Sequence, residues 1–213
     1  MEQSTRRGFL LTSGTLAGLT FAGPRDLFAQ ELTPTPACHD GDEPTVRQTE
    51  GPFFKPTSPE RSDLRQPGAK ARPVELSGLV LTRHCQPVAR ALVDLWHADE
   101  NGDYDNSGFR YRGHQFSDAN GVYRFRTIVP ALYVGRTRHY HVKVQASGGR
   151  VLTTQLYFPD EPGNRRDGLF RRELVMRVAH AAPPSALARG PGTATLRVSD
   201  GLAGRFDFVL DMR

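Results

Sequence analysis

His139-Tyr140-His141-Val142-Lys143-Val144-Gln145-Ala146 alternates in character along its whole length. His139, His141, Lys143 and Gln145 fall on one side; Tyr140, Val142, Val144 and Ala146 fall on the other. A period of two with β-branched residues on one side predicts a half-buried β-strand. Imidazoles at i and i+2 then point the same way, about 6–7 Å apart along the chain, and both can reach one metal ion. Tyr133-Val134-Gly135-Arg136 leads into this strand. Gly135 makes the turn, Tyr133 can swing back over it as a phenolate donor, and Arg136 places a cation three residues ahead of His139. A bare His-x-His pair is better explained as two side chains riding an exposed strand face. Its surroundings change that balance.

Further strand-like runs lie on both sides, at 74–82, 91–97, 121–128, 152–158, 173–178, 193–199 and 205–211. Turn signals separate them: His84-Cys85-Gln86-Pro87, Asn101-Gly102-Asp103, Asp118-Ala119-Asn120-Gly121, Ser147-Gly148-Gly149 and Pro191-Gly192. No long amphipathic helical pattern and no internal repeat occurs. Short strands at this spacing predict an all-β protein, an antiparallel β-sandwich with long functional loops. The long excursions at 99–118 and 159–172 are where such a scaffold usually carries function.

The chain has 213 residues, enough for one domain with a sizeable core. Ser4-Thr5-Arg6-Arg7-Gly8-Phe9-Leu10-Leu11 is a twin-arginine pattern, followed by an apolar, small-residue-rich run to Gly23. That run is too short for a stable membrane span. Residues 1–29 read as a removable export signal of the twin-arginine type, which predicts a periplasmic or secreted protein. Small residues that would end it stand at Ala22 and Ala29. Residues 30–48 are polar and Pro-containing and read as an extended tether, leaving 49–213 as the domain. The leader carries Arg6, Arg7 and Arg25 against Glu2 and Asp26, so its removal takes the formal net charge from +5 to +4. Charges of both signs are mixed along the rest. No basic stripe with interleaved aromatics exists, which argues against nucleic acid as a partner. The mild positive balance slightly favours small anionic substrates. The oligomeric state is open, with room for a homo-oligomer. An even cysteine count in an exported chain predicts a Cys38–Cys85 disulfide pinning the tether to the domain. Metal ligation by cysteine is the weaker reading, since no C-x-x-C pair occurs.

The run 91–104 carries the only tryptophan, Trp96, then an Asn-Gly turn and Tyr104 in a polar loop. Asp99, Asn101, Asp103 and Asp105 hint at a calcium loop, but its closing Glu and flanking helices are missing. Among the other histidines, His97 reads as a strand-end rim residue, and His39, His84, His114 and His180 as solvated loop residues. Tyr111 and Tyr123 read as core or rim, and Tyr157 as sharing the face of Gln155.

Four motifs in order now carry a resemblance: Thr49-Glu50-Gly51-Pro52-Phe53; Trp96…Gly102-x-Tyr104; Tyr133…Arg136-x-x-His139-x-His141; and Thr154-Gln155-Leu156-Tyr157-Phe158. Together they resemble the intradiol ring-cleavage dioxygenases, most of all the exported single-domain members related to protocatechuate 3,4-dioxygenase. The resemblance covers about residues 38–160 well and the C-terminal third loosely. It implies a non-haem iron(III) held by Tyr104, Tyr133, His139 and His141. It further implies cleavage of a catechol-type ring with O2 to a cis,cis-muconate-type diacid. By the same resemblance Arg136 and Tyr133 are catalytic, Arg136 facing the substrate ring. Gln155 would sit behind the ligands, and Gly51 and Pro52 would wall the substrate pocket. The stretch from Tyr133 to His139 is far shorter than in the protocatechuate enzymes, Tyr140 replaces an aliphatic residue, and Arg138 stands where proline is common. The donor set fits independently: phenolates are hard anionic donors that favour the ferric ion, and imidazoles complete a mixed N,O shell. The contrasting expectation is an exported β-sandwich binding module, transthyretin-like or carbohydrate-binding, without catalysis. Such a module has no use for two tyrosines and two histidines at these positions.

Overall fold

The computed structural model describes residues 38, 39, 41, 43–181 and 201–212. Nine strands run in order: β1 (Pro73–Thr82), β2 (Leu92–Trp96), β3 (Arg112–Phe116), β4 (Val122–Ile128), β5 (His139–Gln145), β6 (Leu152–Tyr157), β7 (Arg177–His180), β8 (Leu202–Arg205) and β9 (Phe208–Leu210). One sheet has the order β4-β1-β8-β7, with β9 also on β1; the other has the order β3-β2-β5-β6. The expected all-β sandwich is therefore what folds. One departure from the antiparallel expectation is that β8 and β9 lie parallel to β1. The chain reaches β8 only after β2 to β7 have intervened, and parallel neighbours need such a crossover rather than a hairpin.

The core lies between the sheets. Tyr140, Val142 and Val144 of β5, Val93 and Leu95 of β2 and Leu156 of β6 point into it, against Leu76 and Val80 of β1 and Phe125 of β4. Burial of these side chains is the main favourable contribution to folding, about 1.5–3 kcal/mol each.

Strand β3 falls inside the excursion read as loop at 99–118. Arg112-Gly113-His114-Gln115-Phe116 has no apolar alternation; tertiary pairing makes it a strand. It pairs with β2 along its length, and the segment around Pro59 and Arg61 bonds its outer edge. A Cβ on Gly113 would stand 2.7 Å from Leu64 Cδ2, so the close approach of that segment requires glycine. The expected 173–178 strand becomes a 3-10 turn at Arg172–Leu174 and then β7. The expected 205–211 strand is interrupted at Asp207, whose buried carboxylate accepts the Leu79 amide at 2.8 Å in place of a ladder bond. The 193–199 strand, the 1–29 leader and residues 30–37, 40 and 42 of the 30–48 tether lie outside the described residues.

Cys38 and Cys85 are joined, with Cα atoms 5.7 Å apart. Beyond the bridge the tether is stitched across the sandwich: the Thr45 amide donates to Val209 O and the Gln48 amide to Thr153 O. This carries residues 49–58 over the outer face of the β3-β2-β5-β6 sheet.

Candidate functional site

Strand register places the site on that outer face. Directly opposed residues share a face, so Arg112, Trp96, His141 and Gln155 form one cross-strand row over β3, β2, β5 and β6. His139 and Tyr157 lie one step beyond it; His114, Asp94, Lys143 and Thr153 lie one step before it. The face expected to be solvated is covered instead: His139 is 4% exposed and His141 3%. Segment 49–58 covers it, fastened by Gln155 Nε2 to Thr49 O at 2.9 Å, Lys143 Nζ to Glu50 at 2.5 Å, and Ser58 Oγ to Asp94 at 2.9 Å. His114, expected to be solvated, sits on β3 with Nδ1 3.1 Å from Ser58 Oγ.

The two imidazoles converge, Nε2 to Nε2, at 3.1 Å. His139 Nδ1 is 2.7 Å from the Thr137 carbonyl. A carbonyl only accepts, so Nδ1 carries the proton and Nε2 turns its lone pair toward His141. Burial lowers both imidazole pKa values, that of His139 to about 4, and the neighbouring Arg136 charge adds to the effect. Both rings are thus neutral at neutral pH, the form a metal requires. Tyr104 places its hydroxyl 3.4 Å from the same His139 nitrogen. Burial pushes that phenol's pKa up, and Arg136 and Arg112 pull against it. The Tyr133 ring stands edge-on to Tyr104, centroids 5.6 Å apart.

Around these four side chains the walls are aromatic. Phe53 stacks on Tyr104 at 4.4 Å, and Trp96 lies flat on His141 at 5.0 Å. Gly51, at φ +69°, brings the backbone over His141; a Cβ there would be 3.3 Å from His141 Cε1. Pro52 follows on the exposed turn.

Arg136 is 17% exposed and held from two sides: Nε donates to Asp167 Oδ2 at 2.8 Å, and one Nη donates to Gln155 Oε1 at 2.6 Å. Burial raises the Asp167 pKa, but the Thr137 and Leu169 amides and the Arg136 guanidinium together hold it below the usual carboxylate value. Tyr157 places its hydroxyl 3.1 Å from Gln155 Oε1, on the shared face expected of it. Asp167, the partner that fixes Arg136, was not singled out in the sequence. Its only signal is an acidic residue between Arg165-Arg166 and Arg171-Arg172 in the 159–172 excursion. Arg112 was missed in the same way.

His97 is no rim residue. It is 1% exposed behind the sheet, bonded to Thr127 Oγ1 at 2.5 Å and packed between Tyr111 and Tyr140. Tyr111 and Tyr123 are core. Two carboxylates of the 99–105 loop are committed to turns: Asp99 Oδ1 accepts the Asn101 and Asp103 amides, and Asp105 accepts those of Ser107, Gly108 and Arg110.

The donor set fits a ferric ion. Without an ion, His141 Nε2–H can donate to the His139 Nε2 lone pair at 3.1 Å, and His141 Nδ1 has no hydrogen-bond partner. The spacing also suits a cation, since nitrogens each about 2.1 Å from one ion stand about 3 Å apart at a right angle. Among the described residues no three His, Cys, Asp or Glu side chains group for a metal. Tyrosine oxygens would complete such a shell, and phenolates favour iron(III).

The site is a set of imidazoles and phenols gathered on one covered sheet face of a β-sandwich, a mixed N,O donor set. The family profile described as "Dioxygenase" matches residues 49–212. The chain belongs to the intradiol ring-cleavage dioxygenase family. It is 32% identical over 185 residues to the hydroxyquinol 1,2-dioxygenase of Rhodococcus opacus, covering 75% of this chain and 59% of that one. It is 28% identical over 174 residues to the catechol 1,2-dioxygenase of Acinetobacter baylyi, covering 67% and 56%. The chain thus spans less than two thirds of the length of these relatives. Among solved structures, the dioxygenase domain of a dioxygenase–carbohydrate-binding protein fusion from Streptomyces sp. SirexAA-E is 48% identical, with a TM-score of 0.69, covering 80% of this chain and 100% of that one.

Proposed function

We propose that this protein is an iron(III)-dependent intradiol dioxygenase that opens a catechol-type ring with O2 to a cis,cis-muconate-type diacid. The observation that carries this reading is the convergence of the His139 and His141 Nε2 atoms at 3.1 Å with the Tyr104 hydroxyl 3.4 Å from one of them. Relatives named catechol and hydroxyquinol 1,2-dioxygenases support the substrate class.

Tyr104, Tyr133, His139 and His141 would hold the ion. When bound, iron(III) would take both catechol oxygens and make the ring reactive toward O2. The rest falls to the chain. Phe53, Trp96 and the Gly51 backbone wall the ring in and exclude water. Tyr133, beside the exposed Val134-Gly135 turn, would give up its hydroxyl proton to hold the ion as a phenolate, and that phenolate oxygen would then accept a catechol proton. Arg136 cannot lose its charge at working pH. Clamped by Asp167 and Gln155, its guanidinium faces the substrate ring and stabilises negative charge developing there. Gln155 ties that clamp to Thr49 and so to the pocket wall.

The decisive experiment loads the protein with ferric ion and presents a catechol panel in air. One mole of O2 consumed per mole of ring-opened diacid is expected. O2 uptake without diacid, or none with any catechol, would remove the proposal. The twin-arginine pattern at Arg6-Arg7 supports export, which predicts a shortened, folded product in a periplasmic fraction. A full-length product confined to the cytoplasm would exclude it.

A further inference from the structure

The loop that carries Tyr104 is held to the pocket wall in an uncommon way. Three cationic side chains bind it, each donating to backbone carbonyls. Lys55 Nζ donates to Gly108 O at 2.7 Å and Asn106 O at 3.2 Å and lies 4.6 Å over the Phe109 ring. Arg61 donates to the carbonyls of Arg112 and Phe109. Arg112 donates through Nε to Asp105 O at 3.1 Å and through Nη1 to Phe53 O at 2.5 Å.

Arg112 is the member that reaches the site. It is 1% exposed, and its Nη2 has no hydrogen-bond partner. A guanidinium this buried normally meets a carboxylate, because removing the charge from water is costly. Here it bridges two segments instead. Phe53, whose carbonyl it holds, stacks on the Tyr104 ring at 4.4 Å; Asp105, whose carbonyl it also holds, is the next residue after Tyr104. It heads the row Arg112-Trp96-His141-Gln155, so the same side chain is referenced to the strand that carries the imidazole.

We propose that Arg112 is a positioning residue for the metal site: it locks the Phe53 wall and the Tyr104 loop into one geometry and lays a positive charge beside the phenol that Tyr104 offers to iron. Lys55 and Arg61 form the outer part of the same clasp. The proposal rests on Tyr104 being an iron ligand, and its test separates the two claims.

The test compares wild type, Arg112→Met, Arg112→Lys and Tyr104→Phe. Each is titrated with ferric citrate, followed by the visible charge-transfer band, and metal-free amide exchange is read over 51–58 and 104–110. Arg112→Met is expected to weaken ferric binding at least tenfold, shift the band, and speed exchange in both segments at least tenfold. Arg112→Lys restores the charge but not the two-carbonyl fork. It should recover the band position while leaving exchange fast. Where Arg112→Met does not fold, Arg112→Lys alone decides: exchange at the wild-type rate overturns the proposal. Wild-type affinity, band and exchange in a folded Arg112→Met also overturn it. An unchanged band in Tyr104→Phe overturns the ligand assignment beneath it, whatever Arg112 does.

Discussion

The two faces of the β3-β2-β5-β6 sheet are both dry around the two histidines and entirely different. On β5, Tyr140, Val142 and Val144 are 0% exposed on the inner face, while His139 and His141 are 4% and 3% exposed on the outer one. The inner face is covered by apolar side chains of the opposite sheet. The outer face is covered by loop backbone, and its polar groups are fastened to that backbone one by one. Burial alone therefore does not separate core from site. The inner face can exchange one apolar contact for another at modest cost, whereas the outer face depends on particular atoms meeting.

The sharpest break in this comparison changes one residue on each face. Val142→Asp buries an unpaired carboxylate in the core and should cost more than about 4 kcal/mol. The expected outcome is insoluble protein or no cooperative thermal transition. One residue away, His141→Ala should fold with a loss of about 1–2 kcal/mol yet show no visible band after ferric loading. A folded Val142→Asp, or a coloured His141→Ala, would dissolve the contrast.

Arg136→Leu tests whether the outer face acts on the reaction as well as on structure. Iron content, colour and the spectral response to catechol should survive, while single-turnover ring cleavage falls by about two to three decades, the size of losing one preorganised donor. Near-equal rates would leave Arg136 as only the partner of Asp167.

Protonation sharpens the comparison further, because His97 lies behind the sheet with the core. Burial holds its imidazole pKa at about 4, below the ordinary 6.5. A folded-state pKa below the unfolded one means the unfolded chain binds the proton more readily. The stability His97 contributes is full above pH 6.5 and is lost as pH falls toward 4, about 3 kcal/mol in all. Urea titrations of metal-free wild type and His97→Gln at pH 8, 5.5 and 4 should show the wild type losing its lead in that window. A gap constant with pH would refute this. The smallest effect belongs to Lys143, 20% exposed at the edge of the cover and paired with Glu50. Lys143→Ala should cost no more than about 1 kcal/mol, read from the shift in thermal midpoint.

Period-two alternation revealed β5 and its neighbours, because a strand sends successive side chains to opposite faces whatever it packs against. The same rule put His139 and His141 side by side, and motif order drew Tyr104, Tyr133, Arg136 and Gln155 into one set. It misjudged what covers the outer face. Alternation of polar and apolar residues marks a face as polar, not as wet, and only segment 49–58 crossing over Asp94 and Lys143 makes it dry. His97 was misread for the same reason: a histidine at a strand end looks like a rim residue until Thr127 is seen to satisfy it.

By itself, then, the sequence determined the sandwich, the facing imidazoles and the cysteine pair, since each follows from local periodicity, from chain order or from counting. The tertiary structure alone decided that β3 is a strand, that Asp167 clamps Arg136, and that Arg112 joins the Phe53 wall to the Tyr104 loop. The Arg136–Asp167 and Arg112–Phe53 contacts join residues 31 and 59 positions apart through single hydrogen bonds. A hydrogen bond is directional and short, and no pattern of neighbours along the chain encodes which distant carbonyl a guanidinium will meet.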